Sequence, residues 1–181
     1  SKKQISDKDF QKAYALSRQF GFPIAVETDN GIFVNELNPI VIELARLVDH
    51  PVPPVIDIEK EFIEGKCCQL CFYCDEETEK EVMAQLPNLS ASRWHPIFAD
   101  INVKGVDKAS GIREFASYYD FDISHTIAFG DGGNDISMLR EAGIGVAMGG
   151  AAESIRAVSD YVTDTVDNDG IRNALIHFGF I

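Results

Sequence analysis

The sequence predicts an α/β fold in two regions: a small α+β region over residues 1–100, and a parallel sheet with helices over residues 101–181. Three observations carry this. From about residue 104, helical and strand patterns alternate with short connections, the order of a parallel sheet. The strands of that stretch, such as "TIAFG" and "IGVAM", are apolar almost throughout, which suits burial on both faces. Before it, hairpin signals and helices are mixed without that alternation.

In the first region, Ser6-Asp7-Lys8-Asp9 reads as a capping-box-like helix start. Phe10, Ala13, Tyr14 and Phe20 follow at near-helical spacing, and Gly21 ends the helix. "PIAVE" and "IFVN" flank Asp29-Asn30-Gly31, a strong hairpin signal. Asn38-Pro39 opens a second helix through about Asp49, and "PPVI" breaks the pattern. "CCQLCFYC" reads as a buried strand, "DEETEKEVMAQLP" as a helix capped by Asp75, and "SASRWH" and "FADINV" as two more strands. In the second region the helix "KASGIREFASYY" leads to the strand "HTIAFG", and "DISMLREAG" leads to "IGVAM". The helix "AAESIRAVS" then leads to "DYVT", and a last helix runs from Gly170 to about Phe178.

At 181 residues and 45% hydrophobic, the chain can bury one core of ordinary size or two small ones. No stretch reaches the roughly 18 continuous apolar residues of a membrane span, so no membrane partner is expected. No secretory leader is visible, although the first residue is Ser1 rather than Met. Against 16 Lys+Arg stand 29 Asp+Glu, a net charge of −13. Such a surface repels phosphate backbones and argues against nucleic acid as a partner. A small anionic substrate would need a site made locally positive by lysine, amides or a metal.

The four cysteines are Cys67, Cys68, Cys71 and Cys74. Their spacing invites an iron–sulfur or zinc reading. On a strand, however, positions 68, 71 and 74 cannot share one face. Buried, reduced thiols without metal are expected, which fits a cytoplasmic protein.

The stretch "TIAFGDGGNDISML" carries the chemistry. Asp131 stands where the strand stops, at the carboxyl edge where open parallel sheets bind ligands. Gly130, Gly132 and Gly133 are expected to let the backbone turn sharply and approach a ligand. Asn134 and Asp135 open the next helix, where capping favours both residue types. A cap needs one such group, and this turn has two acids and an amide. Lys108, at the start of the preceding helix, adds a cation. Carboxylates beside a lysine suit a divalent ion with a phosphate: Mg²⁺ takes hard oxygen ligands and keeps several waters, and lysine neutralises phosphoryl charge.

The run "KGVDKASGIREF…TIAFGDGGNDISMLREAGIGVAMGGA" resembles the haloacid dehalogenase-like hydrolases of the Cof type. In that family Gly-Asp-Gly-x-Asn-Asp is followed by Met-Leu, Ala-Gly, Gly-Val-Ala-Met and Ala, all present here in register. Asn168-Asp169-Gly170 also fits. The specific match spans about residues 104–181, and residues 1–100 resemble the family's cap domain in layout. The resemblance implies that residues 101–181 are the C-terminal half of a Rossmann-like core and residues 1–100 a substrate-specificity cap. It implies Mg²⁺-dependent hydrolysis of a phosphate monoester through an aspartyl-phosphate, on a small phosphorylated metabolite of the sugar phosphate kind. In it Asp131 binds Mg²⁺, and Asn134 contacts the substrate phosphate or orders the site. Asp135 supports the turn around the metal, and Lys108 holds nucleophile and phosphoryl group. Lys104 is a neighbouring candidate, but the spacing to Asp131 favours Lys108. Arg93, Trp94 and His95 are candidates for polar contacts from the cap.

The family's nucleophile lies in an Asp-x-Asp-Gly-Thr motif that precedes the cap. No such motif occurs here. Asp7-Lys8-Asp9 starts a helix, Asp120-Phe121-Asp122 precedes a strand, and Asp167-Asn168-Asp169-Gly170 opens the last helix without a Thr. The expectation is that an N-terminal core segment is missing, that these 181 residues alone are inactive, and that their open sheet self-associates. The other readings weighed are a non-catalytic metal- or phosphate-binding module and a cysteine-ligated metal protein.

Overall fold

Ser6 opens the first helix, α1 (Asp7–Phe20), by accepting a hydrogen bond from the Asp9 backbone N–H at 3.1 Å. Gly21 ends it in the left-handed region, φ 75°. The structure, a computed structural model, describes residues 3–61 and 67–181. It divides the chain into two units, residues 1–105 and 106–181.

In the first unit, β1 (Ile24–Thr28) and β2 (Gly31–Val34) form the expected hairpin, with Thr28 opposite Gly31. Asn38 caps α2 (Pro39–Leu47), accepting from the Val41 N–H at 3.0 Å. The short α3 (Ile58–Glu61) was not legible in the sequence, because one turn is too brief to show a helical period. Then come β3 (Cys67–Phe72), α4 (Glu76–Met83) capped by Asp75, β4 (Leu89–His95) and β5 (Phe98–Val103). The strands form an antiparallel sheet in the order β2-β1-β3-β5-β4. The expected boundary at 100/101 falls inside β5, whose pairing runs on to Val103 opposite Leu89.

Alternation along these strands builds two faces. Ile24, Val26, Leu70, Phe72, Ala99 and Ile101 pack with Phe10, Ala13 and Leu16 of α1 and Val82 of α4. Ala25, Cys71 and Phe98 face the other way, toward Val41 and Leu44 of α2. Cys71 joins the α2 cluster and Cys74 the α1 cluster, as alternation requires, while Cys67, beyond the register shift between Glu27 and Thr28, also joins the α1 cluster. Burial pushes the Cys67 thiol up to about 12 and the Cys74 thiol to about 11, so both stay protonated near neutrality.

In the second unit, Asp107 caps α5 (Lys108–Tyr119) through a reciprocal box with Ser110. There follow β6 (Ile127–Gly130), α6 (Ile136–Glu141), β7 (Ile144–Ala147), α7 (Glu153–Arg156), β8 (Tyr161–Val162) and α8 (Gly170–His177). The sheet is parallel, in the order β6-β7-β8. Ala128 and Ala147 of the sheet cluster with Leu139 of α6 and Ile155 of α7. Arg113 of α5 and Glu141 of α6 pair at 2.9 Å.

Gly145 interrupts this apolar sheet for want of room: a Cβ there would stand 2.2 Å from the Leu139 carbonyl oxygen. Backbone would have to move. Gly145→Ala is expected to lower stability by about 1–3 kcal/mol, read as a lower urea midpoint at unchanged slope. An unchanged midpoint would show that α6 and β7 are not in such close contact.

Candidate active site

The turn after β6 is organised by one buried side chain. Asp135 is only 5% exposed. Its Oδ2 accepts hydrogen bonds from the backbone N–H groups of Asp131 and Gly132, each at 3.0 Å. Its Oδ1 pairs with the Lys108 ammonium at the start of α5. The carboxylate therefore points back into the turn and makes no capping bond to α6. Burial alone would raise the Asp135 pKa. Lys108 and the two N–H groups outweigh it and hold the carboxyl below the usual range.

Gly130, Gly132 and Gly133 do not take a positive φ, and Gly132 sits at φ −102°. What Gly130 and Gly132 supply is space. A Cβ on Gly130 would lie 2.5 Å from the Asp135 Cβ, and one on Gly132 would lie 2.7 Å from the Asn134 Oδ1. The room they leave is taken by the Asp135 and Asn134 side chains.

Lys108, Asp131, Asn134 and Asp135 thus meet at the carboxyl end of β6, in one unit. The Lys108 side chain is about half exposed although it is paired. Asp131 is exposed, and its carboxylate makes no hydrogen bond or ion pair among the described residues. A hard, uncommitted carboxylate of this kind suits Mg²⁺, which takes one or two protein carboxylates and keeps water on its other positions. Among the described residues, no three His, Cys, Asp or Glu side chains gather as a metal cluster. Asp131 would therefore hold such an ion together with water and other oxygens. Lys104 belongs to the first unit, where its backbone N–H bonds the Asn88 carbonyl.

In the first unit Arg93 proves structural. Its guanidinium pairs with Glu79 at 2.6 Å and donates to the carbonyls of Cys74, Asp75, His95 and Pro96. These bonds tie β4 to the start of α4 and leave Arg93 no free donor for a ligand. Trp94 lines a cavity.

A parallel sheet with its polar turn at the carboxyl edge defines the class of α/β protein that binds ligands there. The chain belongs to the haloacid dehalogenase-like hydrolases: that family's model matches residues 1–175. It is similar to a putative phosphatase of Bacillus subtilis (strain 168), 41% identical over 121 residues, which are 66% of this chain and 47% of the relative. It is also similar to the 5-amino-6-(5-phospho-D-ribitylamino)uracil phosphatase YcsE of the same organism, 34% identical over 58% of this chain and 43% of that protein. Among solved structures, BT1666 from Bacteroides thetaiotaomicron, a phosphatase of this superfamily, is 56% identical with a TM-score of 0.91. The match covers 98% of this chain and 66% of that one. The sugar phosphatase BT4131 is 38% identical with a TM-score of 0.91, over 98% and 68% of the two chains. The chain spans about half the length of the curated relatives it matches.

Proposed function

We propose that this chain is part of a Mg²⁺-dependent phosphate monoester hydrolase acting on a small phosphorylated metabolite, of the sugar phosphate kind. The observation that carries the reading is the turn after β6. One buried carboxylate fixes a lysine there, and a second, exposed carboxylate stands uncommitted. Family membership and similarity to phosphatases support it.

The roles follow from the chemistry of each group. Lys108, fixed by Asp135, presents an ammonium to the phosphoryl oxygens and offsets their charge. Asn134 offers an amide to the same oxygens. Asp131 would hold Mg²⁺, which when bound supplies further charge neutralisation at the phosphate. Asp135 has its oxygens occupied and acts by position. The nucleophile is a carboxylate of the whole protein outside these 181 residues. Its oxygen attacks phosphorus, the ester P–O bond breaks, and the leaving oxygen takes a proton from water to depart as the alcohol. Water then hydrolyses the acyl phosphate to inorganic phosphate and frees the carboxylate. On this reading residues 1–105 form the substrate-selecting cap and residues 106–181 part of the catalytic core.

The test is phosphate release from a panel of sugar phosphates. The whole protein is expected to turn over with Mg²⁺, and the 181 residues alone are expected not to. Magnesium-dependent turnover by the 181-residue chain would place the nucleophile within it and overturn this assignment.

A further inference from the structure

A second loop lies beside the Asp131 turn in the same unit. β7 ends at Ala147, and Met148-Gly149-Gly150-Ala151-Ala152 leads from it to α7. β6 and β7 are parallel neighbours with Gly130 opposite Ala147, so both loops leave the same edge of the sheet. They are joined in two ways. The Met148 N–H donates to the carbonyl of Gly130, the residue before Asp131, at 2.9 Å. Ala151, only 5% exposed, packs in one cluster with Leu139 of α6, and Ile136, the residue after Asp135, packs against that cluster.

Two adjacent glycines make a loop costly to hold in one shape. This one is held by bonds to its backbone. The Gly149 N–H donates to the Asp164 carbonyl at 3.1 Å, and a Cβ on Gly149 would stand 2.8 Å from the Asp164 backbone carbon. The Ala151 N–H closes a turn onto the Met148 carbonyl at 2.9 Å. The remaining tie is a side chain. Arg156, the last residue of α7, donates from Nε to the Ala151 carbonyl at 2.8 Å and from a terminal nitrogen to the Gly149 carbonyl.

A basic residue in the last turn of a helix usually serves the final carbonyls of that helix. Arg156 instead reaches back past the start of α7 to the loop before it. It makes no ion pair among the described residues, in a chain where 29 Asp+Glu outnumber 16 Lys+Arg. Its planar fork spans two carbonyls at once, which the single ammonium of a lysine does less well.

We infer that Arg156 is a positioning residue for the site. It clamps Gly149 and Ala151, which holds the loop against Gly130 and the start of α6 and so fixes where Asp131 stands. What Asp131 holds there rests on the phosphatase reading; the clamp itself does not.

The test compares Arg156→Ala and Arg156→Lys in the whole protein with Arg113→Ala, which removes another exposed arginine of this unit. The first readout is amide hydrogen exchange without Mg²⁺. The Met148 N–H, and the Asp131 and Gly132 N–H groups that bond Asp135, should exchange about tenfold faster in Arg156→Ala. Arg113→Ala should leave them unchanged. The second is the Mg²⁺ concentration for half-maximal turnover, which should rise about tenfold in Arg156→Ala and partly recover in Arg156→Lys. In an Asp131→Asn background, Arg156→Ala should change that requirement by less than about twofold, because it acts through Asp131. An arginine that only adds stability would lower the urea midpoint and move none of these. Wild-type exchange at Asp131 and Gly132 in Arg156→Ala, or a full effect on the Mg²⁺ requirement without the Asp131 carboxylate, would overturn the inference. If Arg156→Ala does not fold, Arg156→Gln carries the same comparisons. Wild-type exchange beside normal wild-type turnover sinks this inference and leaves the phosphatase reading standing. If the whole protein shows no turnover, that reading fails, and hydrogen exchange alone decides the clamp.

Discussion

Asp131→Asn in the whole protein is expected to lower turnover by about 10²-fold or more and to raise the Mg²⁺ concentration needed by about 10–100-fold. Asparagine keeps the size of the side chain and one carbonyl oxygen, but removes the charge. The Asp131 backbone N–H that bonds Asp135 is untouched, so the turn should persist. Its carboxylate has no partner among the described residues, so no structural bond is lost with it. Stability should therefore stay within about 0.5 kcal/mol, as for ordinary surface changes. Steady-state kinetics over a Mg²⁺ titration gives the first effect, calorimetric Mg²⁺ binding the second, and thermal unfolding the third. Wild-type turnover at every Mg²⁺ concentration would remove Asp131 from the site. A large loss of stability would show that Asp131 has a structural task instead.

Much of this fold was legible because its signals are local. Ser6, Asn38 and Asp75 each announce a helix, and each caps the one that follows. Asp29-Asn30-Gly31 announces a hairpin by itself. The parallel sheet was readable from unbroken apolar strands at regular intervals. What escaped depends on distant partners. Asp135 stands where a cap could, and only tertiary structure shows the bonds by which its carboxylate turns back on two backbone N–H groups and a lysine 27 residues away. Arg93 looked free for a ligand until β4 met the start of α4 and four carbonyls claimed it. The Glu27–Gln69–Asp100 network joins three strands whose pairing no local pattern announces. The alternation that could have revealed it was present, but polar residues on a strand usually mean a solvated face.

Lys108→Ala should also cost about 10² or more in turnover, and comparison with Asp135→Asn separates chemistry from scaffolding. Lys108 is about half exposed, so its ion pair is screened and its loss should cost at most about 1 kcal/mol of stability. Asp135 is buried and accepts from three donors. Asparagine can offer its one oxygen either to the two backbone N–H groups or to the lysine, and its NH₂ then faces the other donors. A loss of about 1.5–3 kcal/mol is expected, the scale of a hydrogen bond to a charged group. The sign of the pH dependence follows from the direction of the shift. Asp135 has a lowered folded pKa, so its contribution is complete above the ordinary carboxylate value of about 4 and is lost as pH falls through the folded value. Urea midpoints of the wild type should therefore fall on acidification below about pH 4 more steeply than those of Asp135→Asn. In turnover the two substitutions should be far from additive, because an ammonium no longer held by Asp135 is already misplaced. Lys104→Ala should leave turnover nearly unchanged. If Lys104→Ala abolished turnover while Lys108→Ala did not, the working lysine would lie in the first unit, and the pairing of Lys108 with Asp135 would be purely structural.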